Sequence, residues 1–267
     1  MKITRSKFIA LAIIFLFLCS CKSEFSFIQV SDPQFGFISD NKGYAEETSL
    51  YEKTVEKINE LRPVFVVITG DLVNNRTNKA QWDEFRRITS KIKPRVYIVP
   101  GNHDLGHELT EADLKEFDEM FGTDRFAIGY RKSRFIGINS NLIKSEVPVL
   151  ENEQLQWLQQ QLAAAKGSDH ILIFCHHPFF IKDPAEPEQY FNIKPETRAR
   201  YLALFEQSGV DAIFAGHLHK NAEASYDNIL MITTSSIGKQ LGSDKPGFRL
   251  VTIKKDKIEH KYIPVEE

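Results

Sequence analysis

The amino-acid sequence predicts an α/β protein with more than one β-sheet. Strand-like and helix-like segments alternate through most of the chain, which is the pattern of the α/β class. The C-terminal part is rich in strands alone, and this suggests a second sheet rather than a single doubly wound sheet. Hydrophobic residues make up 42% of the chain and charged residues 26%, a balance typical of globular proteins.

The domain organisation follows from the length of the chain and from its composition. With 267 residues, the chain is long enough for one large domain or two small ones. No linker rich in Pro, Gly or Ser divides it, and we see no internal repeat. We therefore predict one domain over residues 21–267, preceded by a short N-terminal segment with a separate function.

The N-terminal segment has the pattern of a signal peptide. Three positive residues, Lys2, Arg5 and Lys7, precede an apolar run over residues 8–19. That run is too short to span a bilayer comfortably, which takes about 20 residues. It fits the apolar region of a secretory signal.

The end of this run resembles the lipobox of bacterial lipoproteins. It reads Leu18-Cys19-Ser20-Cys21. The resemblance implies that residues 1–20 are a signal peptide and that Cys21 is acylated. The mature protein would then be lipid-anchored to a membrane of the bacterial cell envelope, on the periplasmic or surface side. A plain secretory signal and a single membrane anchor are the alternatives.

The charge and the cysteines exclude two classes of protein. A formal net charge of -2 gives no basic character, so we expect no nucleic-acid partner. After removal of residues 1–20, only Cys21 and Cys175 would remain. Because Cys21 would carry lipid, no disulfide framework is possible.

Helical periodicity predicts five helices. In the first, Leu50, Val55 and Ile58 lie near helical spacing, and Thr110 is a plausible N-cap of the third. The predicted helices span residues 46–61, 78–90, 110–121, 152–165 and 196–207.

Apolar runs predict the strands between and after these helices. Residues 64–69 form a continuous apolar run rich in β-branched side chains, typical of a strand buried on both faces. Residues 126–130 and 134–139 resemble a hairpin. The predicted strands span residues 25–31, 64–69, 95–99, 126–130, 134–139, 171–175, 212–215, 229–234, 248–253 and 258–262. The longest irregular stretch is 182–195, and a loop of that length is more often functional than accidental.

Polar residues follow directly after five of these strands. Ligands of α/β sheets bind outside the carboxyl ends of the strands, so clusters at several strand ends can converge on one site. In chain order the clusters are Asp32 with Gln34; Asp71; Asn102 with His103 and Asp104; His176; and His217 with His219.

The chemistry of these clusters is that of a metal site. Carboxylate, amide oxygen and imidazole suit divalent ions of the Mn, Fe or Zn type. Residues two apart on an extended chain face the same way, so His217 and His219 can face one centre, as can Asp32 and Gln34. Glycine precedes three of the clusters and permits tight turns and close backbone approach.

Other histidines and Cys175 are expected to have ordinary roles. Cys175 and His177 flank His176 and are interpreted as packing residues. Three further histidines have no partner in sequence, and we assign them no function: His107, His170 and His260.

Taken together, the five clusters resemble the calcineurin-like metallophosphoesterases. That resemblance implies a four-layer α/β/β/α sandwich, with two mixed sheets flanked by helices, and a di-metal centre. It implies that Asp71 bridges both ions and that His103 acts on the substrate, oriented by Asp104. The remaining ligands would be Asp32 and His219 at the first ion, and Asn102, His176 and His217 at the second.

Gln34 departs from the common pattern of the family, which has His at this position. The run Asp32-Pro33-Gln34-Phe35-Gly36 resembles a branch of the family that holds an animal Ser/Thr phosphatase, and segments 190–192, 216–222 and 236–242 do so too. An amide oxygen is a weaker donor than imidazole. We therefore expect Gln34 to be a ligand that holds the first ion less tightly.

The expected activity is hydrolysis of phosphate monoesters, with phosphoproteins among the candidate substrates. Two divalent ions would activate a bridging hydroxide, and His103 would protonate the leaving oxygen. Two alternatives stay open. One is a phosphodiesterase or nucleotide hydrolase, because one fold can host several activities. The other is a lipid-anchored binding protein without catalysis.

Overall fold

The computed structural model describes residues 24–106, 109–145 and 147–266. The predicted signal peptide, Cys21 and His107 lie outside the described residues. Within the described ranges, no helix has both the length and the apolar character needed to cross a bilayer.

The first sheet joins the start of the chain to its end. In spatial order its five strands are β11 (Ile258–Pro264), β10 (Gly247–Ile253), β1 (Phe25–Val30), β2 (Phe65–Thr69) and β3 (Arg95–Val99). The strands β1, β2 and β3 are parallel, with Ile28 opposite Val66, whereas β10 runs antiparallel to β1. As predicted, β2 is buried along its whole length.

The second sheet lies in the middle of the chain. In spatial order its six strands are β4 (Phe126–Tyr130), β5 (Ser133–Gly137), β6 (His170–Phe174), β7 (Ala212–Ala215), β9 (Ile229–Thr233) and β8 (Ala222–Tyr226). The predicted hairpin β4–β5 is confirmed. A second sheet was expected from the C-terminal strands, but β10 and β11 instead return to the first sheet. The reason is that β10 completes the open edge of β1.

Among the described residues, seven helices connect or follow the strands. They are α1 (Ala45–Leu61), α2 (Lys79–Thr89), α3 (Asn102–Leu105), α4 (Glu111–Phe121), α5 (Ser140–Lys144), α6 (Pro148–Ala164) and α7 (Pro195–Gln207). Thr110 caps α4 as predicted, because its hydroxyl accepts from the Asp113 amide while the Asp113 carboxylate accepts from the Thr110 amide. Helix α6 begins at Pro148, four residues before the predicted start at 152, and proline is favoured in the first turn of a helix.

Three hydrophobic clusters separate four layers. Helices α1, α2 and α4 pack on the outer face of the first sheet, and α6 and α7 pack on the outer face of the second. Side chains of both sheets fill the space between them. The strand period directs Phe25 and Phe27 into that space and directs Ile28 and Val30 towards the helices. This arrangement confirms the predicted α/β/β/α sandwich.

Candidate metal centre

The predicted site residues come together at the carboxyl ends of β1, β2, β3, β6 and β7. The side chains of Asp32, Asp71 and His219 place ligand atoms within 4.8 Å of one another, and all three residues are buried. A second buried group of the same compactness contains His176 and His217. The clusters therefore converge, although they are separated by most of the chain.

The backbone at the centre is held in an uncommon conformation. Positive φ angles occur at Asp32 (50°), Gln34 (34°), Asp71 (49°), His217 (71°) and His219 (50°). Non-glycine residues in this region cost about 1–3 kcal/mol each, and such residues concentrate at functional sites. The strand ends thus turn sharply, and each turn directs its side chain to the centre.

Two glycines make the close approach of these turns possible. A Cβ atom at Gly101 would lie 2.1 Å from Asp71 Oδ1, and one at Gly70 would lie 2.5 Å from the backbone nitrogen of Gly101. Gly70 also has φ of +83°, which side chains rarely adopt. Any other residue would push the loops after β2 and β3 apart.

The first group of candidate ligands contains Asp32, Asp71 and His219. His219 Nδ1 contacts the carbonyl oxygen of Lys239 at 2.5 Å, which orients Nε2 towards Asp32 Oδ1 at 3.5 Å. Gln34 Nε2 donates to Asn74 Oδ1 at 3.2 Å. Its buried Oε1 accepts no hydrogen bond from the described residues, which fits the amide-oxygen ligand expected at this position.

The second group surrounds His176 Nε2. This atom lies 3.1 Å from His217 Nδ1, 3.2 Å from Asn102 Oδ1 and 3.3 Å from Asp71 Oδ2. His176 Nδ1 donates to the Thr69 carbonyl oxygen at 2.8 Å, which assigns Nε2 the role of ligand atom. His217 Nε2 is buried and has no hydrogen-bond partner in the described part of the chain. Nitrogen, amide and carboxylate donors that crowd one point fit a divalent ion.

Asp71 belongs to both groups. Its carboxylate lies within the compact set formed with Asp32 and His219, and its Oδ2 also contacts His176 Nε2. Its Oδ1 accepts from the backbone amide of His103 at 2.9 Å. Asp71 therefore occupies the place that a bridging ligand needs.

His177 lies closer to the centre than its interpretation as a packing residue implied. It forms a compact group with His176 and His217, and its ring centroid is 4.5 Å from that of His217. Its Nδ1 contacts the Ser140 hydroxyl at 3.2 Å. Cys175, by contrast, packs in the core beneath the second sheet as expected. The signal that could have indicated His177 was the His-His pair at a strand end.

Buried charges shift the pKa values of the centre in opposite directions. Burial by itself would raise the pKa of Asp71, but the adjacent His176 more than compensates and holds it well below its usual range. Burial opposes the charged form of His176 too, yet Asp71 and Asp32 raise its pKa to about 9. Burial raises the pKa of Asp32. Two adjacent buried carboxylates thus favour a cation between them.

Burial and the neighbouring His176 lower the pKa of His217 to about 3. The imidazole is then neutral at physiological pH, which is the form that binds metal ions.

His103 and Asp104 lie beside the candidate ligands. His103 Nδ1 contacts the Asn74 carbonyl oxygen at 2.9 Å, and this contact orients the ring. The Asp104 carboxylate accepts from the backbone amides of Leu72 and Gly101, both at 2.8 Å. Burial, followed by the charge of Asp71, raises the pKa of Asp104 to about 8. These contacts let Asp104 join the loops after β2 and β3. Its expected role of orienting His103 stays a prediction.

Three side chains at the mouth of the centre were missed from the sequence. Tyr190 is 62% exposed, but its hydroxyl accepts from Asn102 Nδ2 at 3.3 Å and its ring lies 5.3 Å from that of His217. The Phe37 ring lies 5.3 Å from that of His219, and Lys239 Nζ is 4.9 Å from the centroid of Phe37. Two of the three had a signal, since Tyr190 lies in the long irregular stretch at 182–195 and Lys239 lies in segment 236–242, which resembles the family branch.

The remaining described histidines lie away from the centre, as expected. His170 begins β6, at the end opposite His176, and its Nε2 contacts the Lys254 carbonyl oxygen at 2.8 Å. His260 contacts Arg249 at 2.9 Å on β11.

Comparisons with known proteins agree with this geometry. The family model described as calcineurin-like phosphoesterase matches residues 25–221. The serine/threonine-protein phosphatase CPPED1 of Rattus norvegicus is 36% identical over 264 residues, which cover 91% of this chain and 85% of the relative. A probable glycerophosphodiester phosphodiesterase, GpdQ of Arcobacter nitrofigilis, is 29% identical over 193 residues, 70% of this chain and 68% of the relative.

A solved structure supports the fold in the same way. The crystal structure of a dimetal phosphatase from Danio rerio superposes with a TM-score of 0.64 at 19% identity, covering 91% of this chain and 97% of that one. The family model and the relatives, together with the convergence of the clusters, show that the chain belongs to the calcineurin-like phosphoesterase family and is a phosphoesterase.

Proposed function

We propose that the centre binds two divalent ions of the Mn, Fe or Zn type and hydrolyses phosphate monoesters. The observation that carries this proposal is the position of Asp71 between two compact groups of buried donors. The first ion would be held by Asp32, Gln34 and His219, the second by Asn102, His176 and His217, with Asp71 shared. Ions bound in this way supply water activation and neutralise charge on the phosphoryl oxygens.

His103 is proposed as the group that protonates the leaving oxygen. Its backbone amide donates to Asp71 and its Nδ1 contacts the Asn74 carbonyl oxygen, so the ring is held beside the shared ligand. With Nδ1–H donated to a carbonyl, the imidazole exchanges its second proton at Nε2. Asp104 supports this arrangement indirectly, because it ties together the two loops that carry Asp71 and His103.

Tyr190, Phe37 and Lys239 are proposed to contact the part of the substrate beyond the phosphate. Tyr190 stands over Asn102 and His217, whereas Phe37 and Lys239 stand beside His219. Phosphoserine and phosphothreonine peptides are the proposed substrate class, and the support is the 36% identity to a relative named as a serine/threonine-protein phosphatase. The match to GpdQ makes phosphate diesters the second candidate class.

A paired assay tests the proposed function. Purified protein, first freed of metal and then supplied with Mn²⁺, Fe²⁺ or Zn²⁺, is given p-nitrophenyl phosphate, bis-p-nitrophenyl phosphate or a phosphoserine peptide. We expect faster cleavage of the monoester than of the diester, and cleavage of the peptide. Asp71→Asn should abolish turnover, and the exposed change Asp83→Asn serves as a matched control. Faster cleavage of the diester would favour the second class.

We propose further that Cys21 anchors the protein to a membrane. The support is the lipobox-like Leu18-Cys19-Ser20-Cys21 alone. Two or more acyl chains, at about 0.8 kcal/mol per buried CH₂, would give stable anchoring. Cys21→Ser should release soluble protein or block removal of residues 1–20. Unchanged membrane fractionation at an unchanged mass would contradict the proposal.

A further inference from the structure

A chain of side-chain hydrogen bonds crosses the space between the two sheets and ends on a candidate metal ligand. It begins at the buried guanidinium of Arg249, whose Nε donates to Thr234 Oγ1 at 2.9 Å. Thr234 Oγ1 donates to Gln29 Oε1 at 2.6 Å, and Gln29 Nε2 donates to Thr69 Oγ1 at 3.0 Å.

The last links lie beside the centre. Thr69 Oγ1 donates to Ser31 Oγ at 2.9 Å, and Ser31 Oγ donates to Asp32 Oδ2 at 2.5 Å. Each of the six residues in the chain has at most 2% of its surface exposed: Arg249, Thr234, Gln29, Thr69, Ser31 and Asp32. The chain therefore runs without solvent from a buried cation to a buried carboxylate.

The direction of every link is set by groups that can only donate or only accept. Gln29 Nε2 also donates to the Ala215 carbonyl oxygen at 2.9 Å, which fixes the side-chain amide and points Oε1 at Thr234. The Thr234 hydroxyl must therefore donate to Gln29 and accept from Arg249. At the other end the Asp32 carboxylate only accepts, so Ser31 must donate to it.

A chain in which each hydroxyl accepts from one neighbour and donates to the next is polarised along its length. Arg249 holds the outer end, where it also donates to Asn221 Oδ1 at 2.7 Å and pairs with Glu223 at 3.2 Å. In a buried setting, such links are stronger than the same contacts in water. The cation thus strengthens, link by link, the hydrogen bond that Ser31 donates to Asp32.

The glycine of the G-H-L-H motif makes room for the final link. A Cβ atom at Gly216 would lie 1.8 Å from Ser31 Oγ and 2.8 Å from Asp32 Oδ2. The next backbone amide, that of His217, donates to Asp32 Oδ2 at 3.1 Å. Oδ2 therefore receives two hydrogen bonds from the protein. Oδ1 shares the His217 amide at the longer distance of 3.3 Å and faces His219 Nε2 at 3.5 Å.

We infer that this chain positions Asp32 as a metal ligand, with Ser31, Gln29, Thr234 and Arg249 as positioning residues that touch neither the substrate nor an ion. The inference rests on the proposed function, because it requires a metal ion at the first group of ligands. Hydrogen bonds to a ligating carboxylate orient it and tune the affinity of the site for metal.

A neighbouring hydrogen bond provides the matched control. Ser26 Oγ and Thr252 Oγ1 meet at 2.8 Å and join the same two strands, β1 and β10, in a part-buried contact. That pair has no link to Asp32 through the chain described above. Thr234→Val and Thr252→Val thus make the same chemical change. Only the first removes a hydroxyl from the hydrogen-bond chain between Arg249 and Asp32.

The experiment measures Mn²⁺ binding to the whole protein by electron paramagnetic resonance of free Mn²⁺, together with unfolding by urea in the presence of a chelator. We expect Ser31→Ala to weaken binding of one Mn²⁺ by about 10- to 100-fold, the usual effect of removing a partner of a ligand. Thr234→Val should weaken it less, by roughly three- to tenfold, because the break is further from Asp32. Thr234→Ser keeps the hydroxyl and should bind within about twofold of wild type. Thr252→Val should bind as wild type does.

The outcomes separate two failures. If Ser31→Ala and Thr234→Val bind Mn²⁺ as wild type does, while their unfolding free energy falls, the chain only joins the sheets and the inference is overturned. Should Thr234→Val fail to fold, the Mn²⁺ affinities of Ser31→Ala and Thr234→Ser are compared instead. Equal affinities in these two variants would overturn the inference. If wild type itself binds no Mn²⁺ and cleaves no substrate with Mn²⁺, Fe²⁺ or Zn²⁺ in the paired assay, the proposed function fails and the inference fails with it.

Discussion

The space between the two sheets has an aromatic end and a polar end, and the same strands border both. On β1 the inward-facing residues are first Phe25 and Phe27 and then Gln29, and Ser31 follows directly after the strand. At the aromatic end the contacts are between apolar rings, whereas at the polar end each contact has a donor and an acceptor. The side-chain layer between the two sheets can therefore stabilise the fold at one end and position candidate metal ligands at the other.

Phe27 is the centre of the aromatic end. Its ring lies 5.1 Å from Phe65 and 5.5 Å from Phe135 in geometries that aromatic pairs favour. It also contacts Phe174 and Phe214, at 5.6 and 5.8 Å. These side chains come from both sheets, so the aromatic end holds the sandwich together.

The largest effect on stability is expected from a substitution at Phe27. Phe27→Ala should lower the free energy of unfolding by roughly 3–5 kcal/mol, because it leaves a large cavity. The Mn²⁺ affinity of the folded protein should stay as in wild type, since the substitution removes none of the hydrogen bonds between Arg249 and Asp32. Urea unfolding and Mn²⁺ titration measure the two quantities.

A matched apolar control for Phe27→Ala is Leu230→Ala on β9, where the side chain is 38% exposed. That change should alter stability by about 0.5 kcal/mol or less. If Phe27→Ala weakened metal binding as much as Ser31→Ala does, the two ends would not be separable.

At the polar end the largest catalytic effect is expected at His103. His103→Ala should slow hydrolysis of an alkyl phosphate by about 10²- to 10⁴-fold, the range of general acid catalysis. The loss with p-nitrophenyl phosphate should be smaller, because p-nitrophenolate leaves without a proton. Steady-state rates on both substrates, with metal content as control, test this. Equal losses on the two substrates would remove the acid role, and a loss of bound metal would make His103 a ligand.

Gln34→His tests whether position 34 contributes a ligand to the metal centre. Imidazole is a better donor than an amide oxygen, so the Mn²⁺ concentration for half-maximal activity should fall by up to about tenfold. Histidine also tolerates positive φ, which is 34° at this position. The control Gln34→Leu should raise that concentration. No change in either variant would place Gln34 outside the ligands.

The smallest effect is expected at Tyr190. Tyr190→Phe removes the hydroxyl that accepts from Asn102, a hydrogen bond worth about 0.5–1.5 kcal/mol. KM for a phosphopeptide should rise by roughly two- to tenfold while kcat changes less. Tyr226→Phe, on β8, is the control. A fall in kcat at constant KM would assign Tyr190 to the chemical step instead.

The elements of this fold were predictable where the side-chain period is strong. The strands at 95–99, 126–130 and 212–215 match the structure at both ends, and the other predicted elements agree in kind. β8 was missed because Ala222–Tyr226 is half exposed and contains no apolar run. α5 was missed because five residues are too few to show a helical period.

The site was predictable to the extent that its residues stand at strand ends. Parallel pairing brought together the clusters after β1, β2 and β3 in one sheet and those after β6 and β7 in the other. The packing of the two sheets then joined both sets at one centre. The partners of Asp104 were not predictable, since the amide of Leu72 lies 32 positions before it and becomes a neighbour only when β2 and β3 pair.

The α/β class, the types of candidate ligand and the strand ends that carry them could be predicted from the sequence, because they depend on local period and on the chemistry of single residues. The surroundings of the centre depend instead on how the layers pack. Thr234 reaches Gln29 across 205 positions because the two sheets face each other, and Tyr190 reaches Asn102 because its loop folds over the strand ends. Such contacts depend on how layers stack, and no local pattern of residues records that.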